Sequence, residues 1–122
     1  MTGSGGTLER AVADGNRGNG IEANRAAISD STAHGNGVIG IRSAGRVERS
    51  SASGNGQDGL DCNACIATGN QLNDNDGNGA TFAFGSIAGS NALLQNGVSD
   101  ADIASPSTFV ESVPNFGVDG SC

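Results

Sequence analysis

Two groups of side chains in this 122-residue chain have the types and spacing to do chemistry. The first is Asp74-Asn75-Asp76-Gly77-Asn78-Gly79. Oxygen-bearing residues at Asp74, Asp76 and Asn78, followed by a glycine, match the first half of a calcium loop. The second half departs from that pattern, because Gly85 stands where a bidentate glutamate would close the coordination shell. The unit holding this turn is longer than its neighbours, so the sequence predicts a bulged acidic turn, which reads as a hydrated Asn/Asp/Gly corner in preference to a weak calcium site. The second group is Glu22, Arg42 and Asp61, three charges of alternating sign placed about one repeat apart. A base and a cation together are what proton abstraction beside a uronate carboxylate needs. Two carboxylates around an arginine hold its proton on, however, so the trio reads better as a ligand-binding patch or a solvated charge ladder. Arg49 and Asp30 form a similar pair. His34, the single histidine, lies beside Gly35 with no catalytic partner that spacing can assign. Cys62-Asn63-Ala64-Cys65 has CxxC spacing without a second metal-ligand pair or the strand-to-helix setting of redox chemistry, so the cysteines read as structural thiols, with Cys122 the alternative disulfide partner.

These residues can meet only if the chain repeats, and it does. Ser53-Gly54-Asn55-Gly56-Gln57-Asp58-Gly59-Leu60 follows His34-Gly35-Asn36-Gly37-Val38-Ile39-Gly40-Ile41 as a second copy of one phrase. Asn16, Asn36, Asn55, Asn75, Asn96 and Asn115 are separated by 20, 19, 20, 21 and 19 residues. A period of this length marks a solenoid rather than one closed core. Around each Asn, apolar residues keep fixed offsets. Ile21, Ile41, Leu60, Ala80 or Phe82, and Ala101 or Ile103 follow it. Leu8, Ile28, Val47, Ile66 and Ile87 precede it by eight or nine positions, and Ala13, Ala33, Ala52, Leu72 and Leu93 by three. Ala11, Ser31, Ser50, Asn70 and Asn91 make a further column. Three short apolar points separated by Gly, Asn, Ser and Asp predict three short strands and three turns per coil. The change from Ala to Leu in the last apolar column predicts an interior that widens toward the C-terminal half.

Stacking such coils at strand spacing pairs the strands in parallel and brings equivalent residues over one another. Asn suits the turn for two reasons: it tolerates left-handed backbone, and its amide both donates and accepts, so stacked copies can bond at every coil. In Ile21-Glu22-Ala23, Ile41-Arg42-Ser43 and Leu60-Asp61-Cys62 the middle residue points outward, which places Glu22, Arg42 and Asp61 in one external column.

Composition narrows the function classes. Gly accounts for 21 residues, Asn for 13 and Ser for 14, and four Phe are the entire aromatic content. The formal charge is −7, and all six cations are Arg. That balance disfavours a nucleic-acid partner. No apolar run reaches the roughly 18 residues of a membrane span, so no membrane partner is expected. The N-terminus lacks the basic and apolar regions of a signal peptide. The sequence predicts a flexible leader over 1–6, a β-helix over 7–103, and a C-terminal cap or tail over 104–122, with 108–113 as a last strand covering the open end. Thr7–Val12 reads as a first coil in preference to a capping helix.

The phrases Ser50–Leu60 and Ile66–Asn75 resemble the right-handed parallel β-helix repeat of the pectin-lyase-like superfamily, and the likeness covers about residues 8–103. It implies an all-β fold: a right-handed parallel β-helix solenoid of about five coils of 19–21 residues with a C-terminal capping segment. It also implies an extracellular or cell-surface address and a polysaccharide partner. Active-site phrases of the family's enzymes are absent from this chain. The expected function is therefore a non-catalytic solenoid for structural display or carbohydrate binding, within a larger extracellular protein or alone. A polysaccharide lyase or glycoside hydrolase is one alternative. Self-association through the end coils into a homo-oligomer is the other. The candidate ligand-binding residues are Glu22, Arg42 and Asp61. The candidate metal residues are Asp74, Asp76 and Asn78, and calcium is the one cofactor they suggest.

Overall fold

The computed structural model describes residues 2–83, 85–99, 101–103, 110–113 and 116–117, the last three segments by backbone alone. Every regular element among them is a strand of two to four residues. The chain is a parallel β-solenoid, and about four of its turns lie wholly within the described residues. Numbered along the chain, β1 (Thr2–Ser4), β4 (Ile21–Asn24), β7 (Ile41–Ser43), β10 (Leu60–Asn63), β13 (Ala80–Ala83) and β16 (Ala101–Ile103) form sheet A. Sheet B is β2 (Thr7–Glu9), β5 (Ala27–Ser29), β8 (Arg46–Glu48), β11 (Ile66–Thr68), β14 (Ile87–Gly89) and β17 (Val110–Val113). Sheet C is β3 (Val12–Asp14), β6 (Thr32–His34), β9 (Ser51–Ser53), β12 (Gln71–Asn73), β15 (Ala92–Leu94) and β18 (Phe116–Gly117). Every strand pair is parallel, so each coil visits the three sheets once and the next coil lies directly over it.

The strands stop after three or four residues because the next residue turns left-handed. Arg10, Asp30 and Arg49 have φ of 52°, 51° and 46° at the corner between sheets B and C. Gly15, Gly35, Gly54 and Asp74 have φ of 65°, 63°, 63° and 55° after sheet C. A non-glycine residue in this region costs roughly 1–2 kcal/mol. The cost is offset by pairing, since the corner amides still bond to the next coil: Arg10 N to Ser29 O at 3.1 Å, and Arg49 N to Thr68 O at 3.1 Å.

Two polar ladders run through the buried corners. At the corner leading from sheet C back to sheet A, Asn36 Nδ2 donates to Asn55 Oδ1 at 3.0 Å and to Ala13 O at 3.1 Å, and Asn36 N donates to the same Asn55 Oδ1 at 3.0 Å. Asn55 repeats the arrangement onto Asn75, and Asn75 onto Asn96. Gly40 precedes sheet A here because a Cβ would sit 2.6 Å from Asn55 Nδ2. The second ladder, at the corner between sheets B and C, uses the column Ala11, Ser31, Ser50, Asn70 and Asn91. Ala11 N donates to Ser31 Oγ, Ser31 N to Ser50 Oγ, Ser50 N to Asn70 Oδ1 and Asn70 N to Asn91 Oδ1, at 3.0–3.2 Å. The sequence shows this column but gives no sign that serine hydroxyls and asparagine amides interchange in one continuous chain of bonds.

The core is a single file of small and aliphatic side chains: Ile21, Ile28 and Ala33 in one coil; Ile41, Val47 and Ala52 in the next; then Leu60, Ala67 and Leu72; then Ala80, Phe82, Ala88 and Leu93. Two expectations need correction here. Ile66 and Ile87 do not point inward. Register pairs Val47 with Ala67, and Ala67 with Ala88, so the inner column of sheet B lies eight residues before each ladder Asn, and the isoleucines at nine are half-buried on the outside. Nor does the interior simply widen. Where sheet C gains Leu72 and Leu93, sheet B shrinks to Ala67 and Ala88, so volume moves across the tube at close-packed density.

Within the expected leader, residues 2–4 are built into the solenoid. Thr2–Ser4 form β1 and pair with β4, Thr2 with Glu22 and Ser4 with Asn24, because they stand one coil length before it. Thr7–Glu9 form a coil strand, β2, as predicted. Of the expected last strand, Val110–Val113 form β17 on β14, while residues 104–109, 114–115 and 118–122 lie outside the described residues.

Through β15 the coil length varies at one corner only; beyond it, a register shift in β17 adds one residue between sheets B and C, where Ala88 and Leu93 pair with Glu111 and Gly117. From the inward residue of sheet B to that of sheet C the distance is constant (Ile28 to Ala33, Val47 to Ala52, Ala67 to Leu72, Ala88 to Leu93), as it is from sheet C to the next sheet A (Ala33 to Ile41, Ala52 to Leu60, Leu72 to Ala80). Both constant corners carry a ladder. The corner between sheets A and B does not, and there the distance changes: Ala23 to Ile28, Ser43 to Val47, Cys62 to Ala67 and Phe82 to Ala88. The extra residue of the longest unit therefore falls beyond Phe82, and the turn Asp74–Gly79 is no longer than its neighbours and does not bulge.

Asn55→Ala removes the acceptor of two Asn36 donors in mid-ladder and should lower unfolding stability by about 2–4 kcal/mol, each stranded buried donor costing on the order of 1–3 kcal/mol. Asn16→Ala, at the exposed end, should cost under about 1 kcal/mol. Equal urea midpoints for the two variants would show that the ladder does not hold the coils in phase.

Candidate functional site

Glu22, Arg42 and Asp61 come together as their offsets predict. Register pairs Glu22 with Arg42 on β4 and β7, and Arg42 with Asp61 on β7 and β10. Each stands between two buried residues of its strand, so the pleat turns all three outward. Two residues further on, Asn24, Ala44 and Asn63 share that outer face. The six line a surface notch of about 220 Å³, with Ser43 at its base.

The notch exists because one coil is a residue short. In the coils above and below, a left-handed residue rounds the corner from sheet A to sheet B: Arg25 with φ 57° and Ala64 with φ 52°. The coil between them omits it and goes from Ala44 through Gly45 directly to Arg46, which pairs with Ala27 on one side and Ile66 on the other. The chain cuts inside its neighbours. Gly45 is required at the shortcut, since a Cβ there would collide with the Ala26 carbonyl oxygen. Ser43 Oγ accepts the Gly45 amide at 3.1 Å and braces the tight turn. Ala44, much smaller than the Asn24 and Asn63 side chains that flank it, leaves the space between them, their backbones lying two strand spacings apart, about 10 Å.

Charge in the notch is unevenly matched. Arg42 Nε lies 3.2 Å from Asp61 Oδ2. Glu22 Oε2 accepts the Asn19 side-chain amide at 3.0 Å, and among the described residues it makes no ion pair. The Asp61 carboxyl is pushed above the usual range, first by burial, against the opposing pull of Arg42 and with added repulsion from Asp58. Asp58 is itself engaged: Oδ1 accepts the Asn78 amide at 2.8 Å and Oδ2 the Thr81 hydroxyl at 2.6 Å. A guanidinium paired with a carboxylate fits a binding cation better than a base.

The other candidates lie elsewhere. Asp74 and Asp76 are exposed on the corner after β12, while Asn78 is half-buried and its Nδ2 donates to Thr81 Oγ1 at 3.1 Å. No group of three His, Cys, Asp or Glu side chains is placed to share a metal among the described residues. His34 ends β6, with Nδ1 3.0 Å from Ser53 O and 3.1 Å from Ser53 Oγ, a neighbour that spacing alone did not assign. Arg49 grips Asp30 with Nε–Oδ1 at 2.9 Å and Nη2–Oδ2 at 3.0 Å, and holds the Asp30 carboxyl below its usual range. Cys62 and Cys65 are joined to each other by a disulfide and buried at the corner between sheets A and B, in place of the free thiols or the Cys122 pairing that the sequence suggests. Cys62 faces in from β10 and Cys65 faces in from the turn, so a separation of three residues suffices. Among the described residues no helix is long and apolar enough to cross a membrane.

Sequence reasoning found the charged trio by its offsets and missed Asn24, Ala44, Asn63 and Asn19. The signal was present in the 19-residue gap between Asn36 and Asn55, which marks a coil short by one. No family model, no curated protein and no solved structure matches the chain.

Two measurements check this geometry. Asp61→Asn should raise the melting temperature by a few degrees at neutral pH, because a carboxyl whose pKa is raised by folding weakens the folded state above that pKa. The gain should shrink as pH falls through the raised pKa and vanish below the unfolded value, where the native carboxyl is protonated in both states. A variant that melts lower than the native chain at pH 7 would contradict the dominance of burial. Thiol titration of the denatured, unreduced protein should find at most one of the three cysteines reactive, and all three after reduction; three before reduction would exclude the Cys62–Cys65 bond.

Proposed function

We propose that this solenoid is a non-catalytic carbohydrate-binding element that holds a polysaccharide along the outer face of sheet A, with one sugar residue seated in the notch. The observation that carries the reading is the notch itself, a concavity of about 220 Å³ lined by carboxylate, guanidinium and amide groups on a rigid stack of strands. The volume is below that of drug-sized pockets and suits a single ring. The outer rows of a solenoid repeat along its axis, as sugars repeat along a glycan. Side chains of both polarities offer donors and acceptors to hydroxyls, although without exposed Trp or Tyr the binding is of the hydrogen-bonded and not the stacked kind. The likeness of the repeat phrases to the pectin-lyase-like superfamily supports the same reading and an extracellular or cell-surface address.

Glycan-array binding without turnover is the expected result, weakened at least several-fold by Ala44→Leu, which fills the notch from its outer face. Chain cleavage of a polysaccharide that is lost in Arg42→Ala would overturn the non-catalytic reading in favour of a lyase. A second reading rests on a separate observation. Among the described residues β1, β2 and β3 each pair with one strand, and their other edges are where a strand of a second copy would add. Self-association through those edges predicts light scattering that rises with concentration, and a monomer at every concentration would remove it.

A further inference from the structure

The notch is short of positive charge, and the shortage names the kind of sugar that suits it. This inference rests on the carbohydrate-binding reading above. Two carboxylates, Glu22 and Asp61, face one guanidinium, and Arg42 is committed to Asp61 at 3.2 Å. Glu22 is left with a neutral partner, the Asn19 amide at 3.0 Å. Burial and the nearby Asp58 both act against the Asp61 charge. The chain as a whole carries a formal charge of −7, so a polyuronate approaching this face meets repulsion both at long range and at the site. A divalent metal is a poor fit to the same place, because the Arg42 guanidinium occupies the position between the carboxylates.

We infer that the notch takes a sugar bearing a primary ammonium group, which pairs with Glu22 while the Asn24 and Asn63 amides on either side of Ala44 take its hydroxyls. The ligand class is therefore a de-N-acetylated amino-sugar polymer of the glucosamine type, not a uronate. Glu22 sets the specificity. Its carboxylate is half-buried and is oriented by Asn19, whose Oδ1 also accepts the Ile39 amide at 3.2 Å and so fixes the amide that fixes the acid.

The test is calorimetric titration of the full chain with glucosamine oligomers, the same oligomers N-acetylated, galacturonate oligomers, and spermidine as a flexible polyamine. The glucosamine oligomer should bind roughly fivefold or more tighter than its acetylated form, about the value of one ion pair at a partly exposed site. Galacturonate should bind least, and added salt should erase the preference. Glu22→Gln should remove the preference, so that on this variant the free-amine and acetylated oligomers bind with equal affinity. Equal affinity for acetylated and free-amine oligomers, untouched by Glu22→Gln, would overturn the ammonium assignment and leave the carbohydrate reading standing. Spermidine binding as tightly as the amino sugar would show general cation attraction and overturn the assignment to a sugar. Failure of every glycan to bind, with the native chain folded by its circular dichroism, would overturn the carbohydrate reading itself.

Discussion

The buried side-chain amide is the constraint on which the rest of this molecule depends. Asn36, Asn55 and Asn75 are almost fully enclosed, and each has donors and an acceptor that water cannot reach. Each acceptor takes two bonds from the preceding coil, and each Nδ2 reaches both the next Asn and a strand carbonyl. Displacing one coil by a single residue would strand these groups and turn the inward side chains to the surface, since a strand alternates with a period of two. The ladder thus sets the phase of every coil at once. The serine-to-asparagine ladder does the same at a second corner, with hydroxyl or amide oxygen equally able to accept the backbone N–H above it.

Two locked corners leave one free. Between sheets A and B the inward column reads Ala26, Gly45, Cys65 and Ser86, joined from coil to coil by backbone bonds (Arg46 N to Ala26 O, Ile66 N to Gly45 O, Ile87 N to Cys65 O) and by no continuous side-chain ladder. Each coil closes that corner in its own way. Ser43 Oγ braces the short turn, a disulfide closes the next, and Ser86 Oγ bonds Ala83 O at 2.6 Å and Cys62 O at 3.1 Å in the one after. Length variation is tolerated there because no neighbour has to follow it. Sites of variation on rigid scaffolds are where binding surfaces form, and the notch is the visible product of one such deletion.

The interior illustrates a related economy of volume. Inward positions need only sum to the right size in each layer. Ile28 beside Ala33, Val47 beside Ala52, and Ala67 beside Leu72 fill the tube in different ways. Few aromatic residues are needed, and Phe82 enters where its coil otherwise carries Ala80 and Ala88.

By itself the sequence determined the repeat, the parallel stacking that a repeat of this length demands, the asparagine column, and the outward column Glu22, Arg42 and Asp61, because each follows from residue type and separation alone. The tertiary structure decided which side of the pleat Ile66 and Ile87 occupy, that Thr2–Ser4 join the first coil, that Cys62 meets Cys65, and that Asn24, Ala44 and Asn63 enclose a space. The physical reason is common to all four. Direction, pairing and void volume belong to the contact between neighbouring coils: a missing residue is only a number in the chain, and becomes a notch when the coils on either side keep to the longer path.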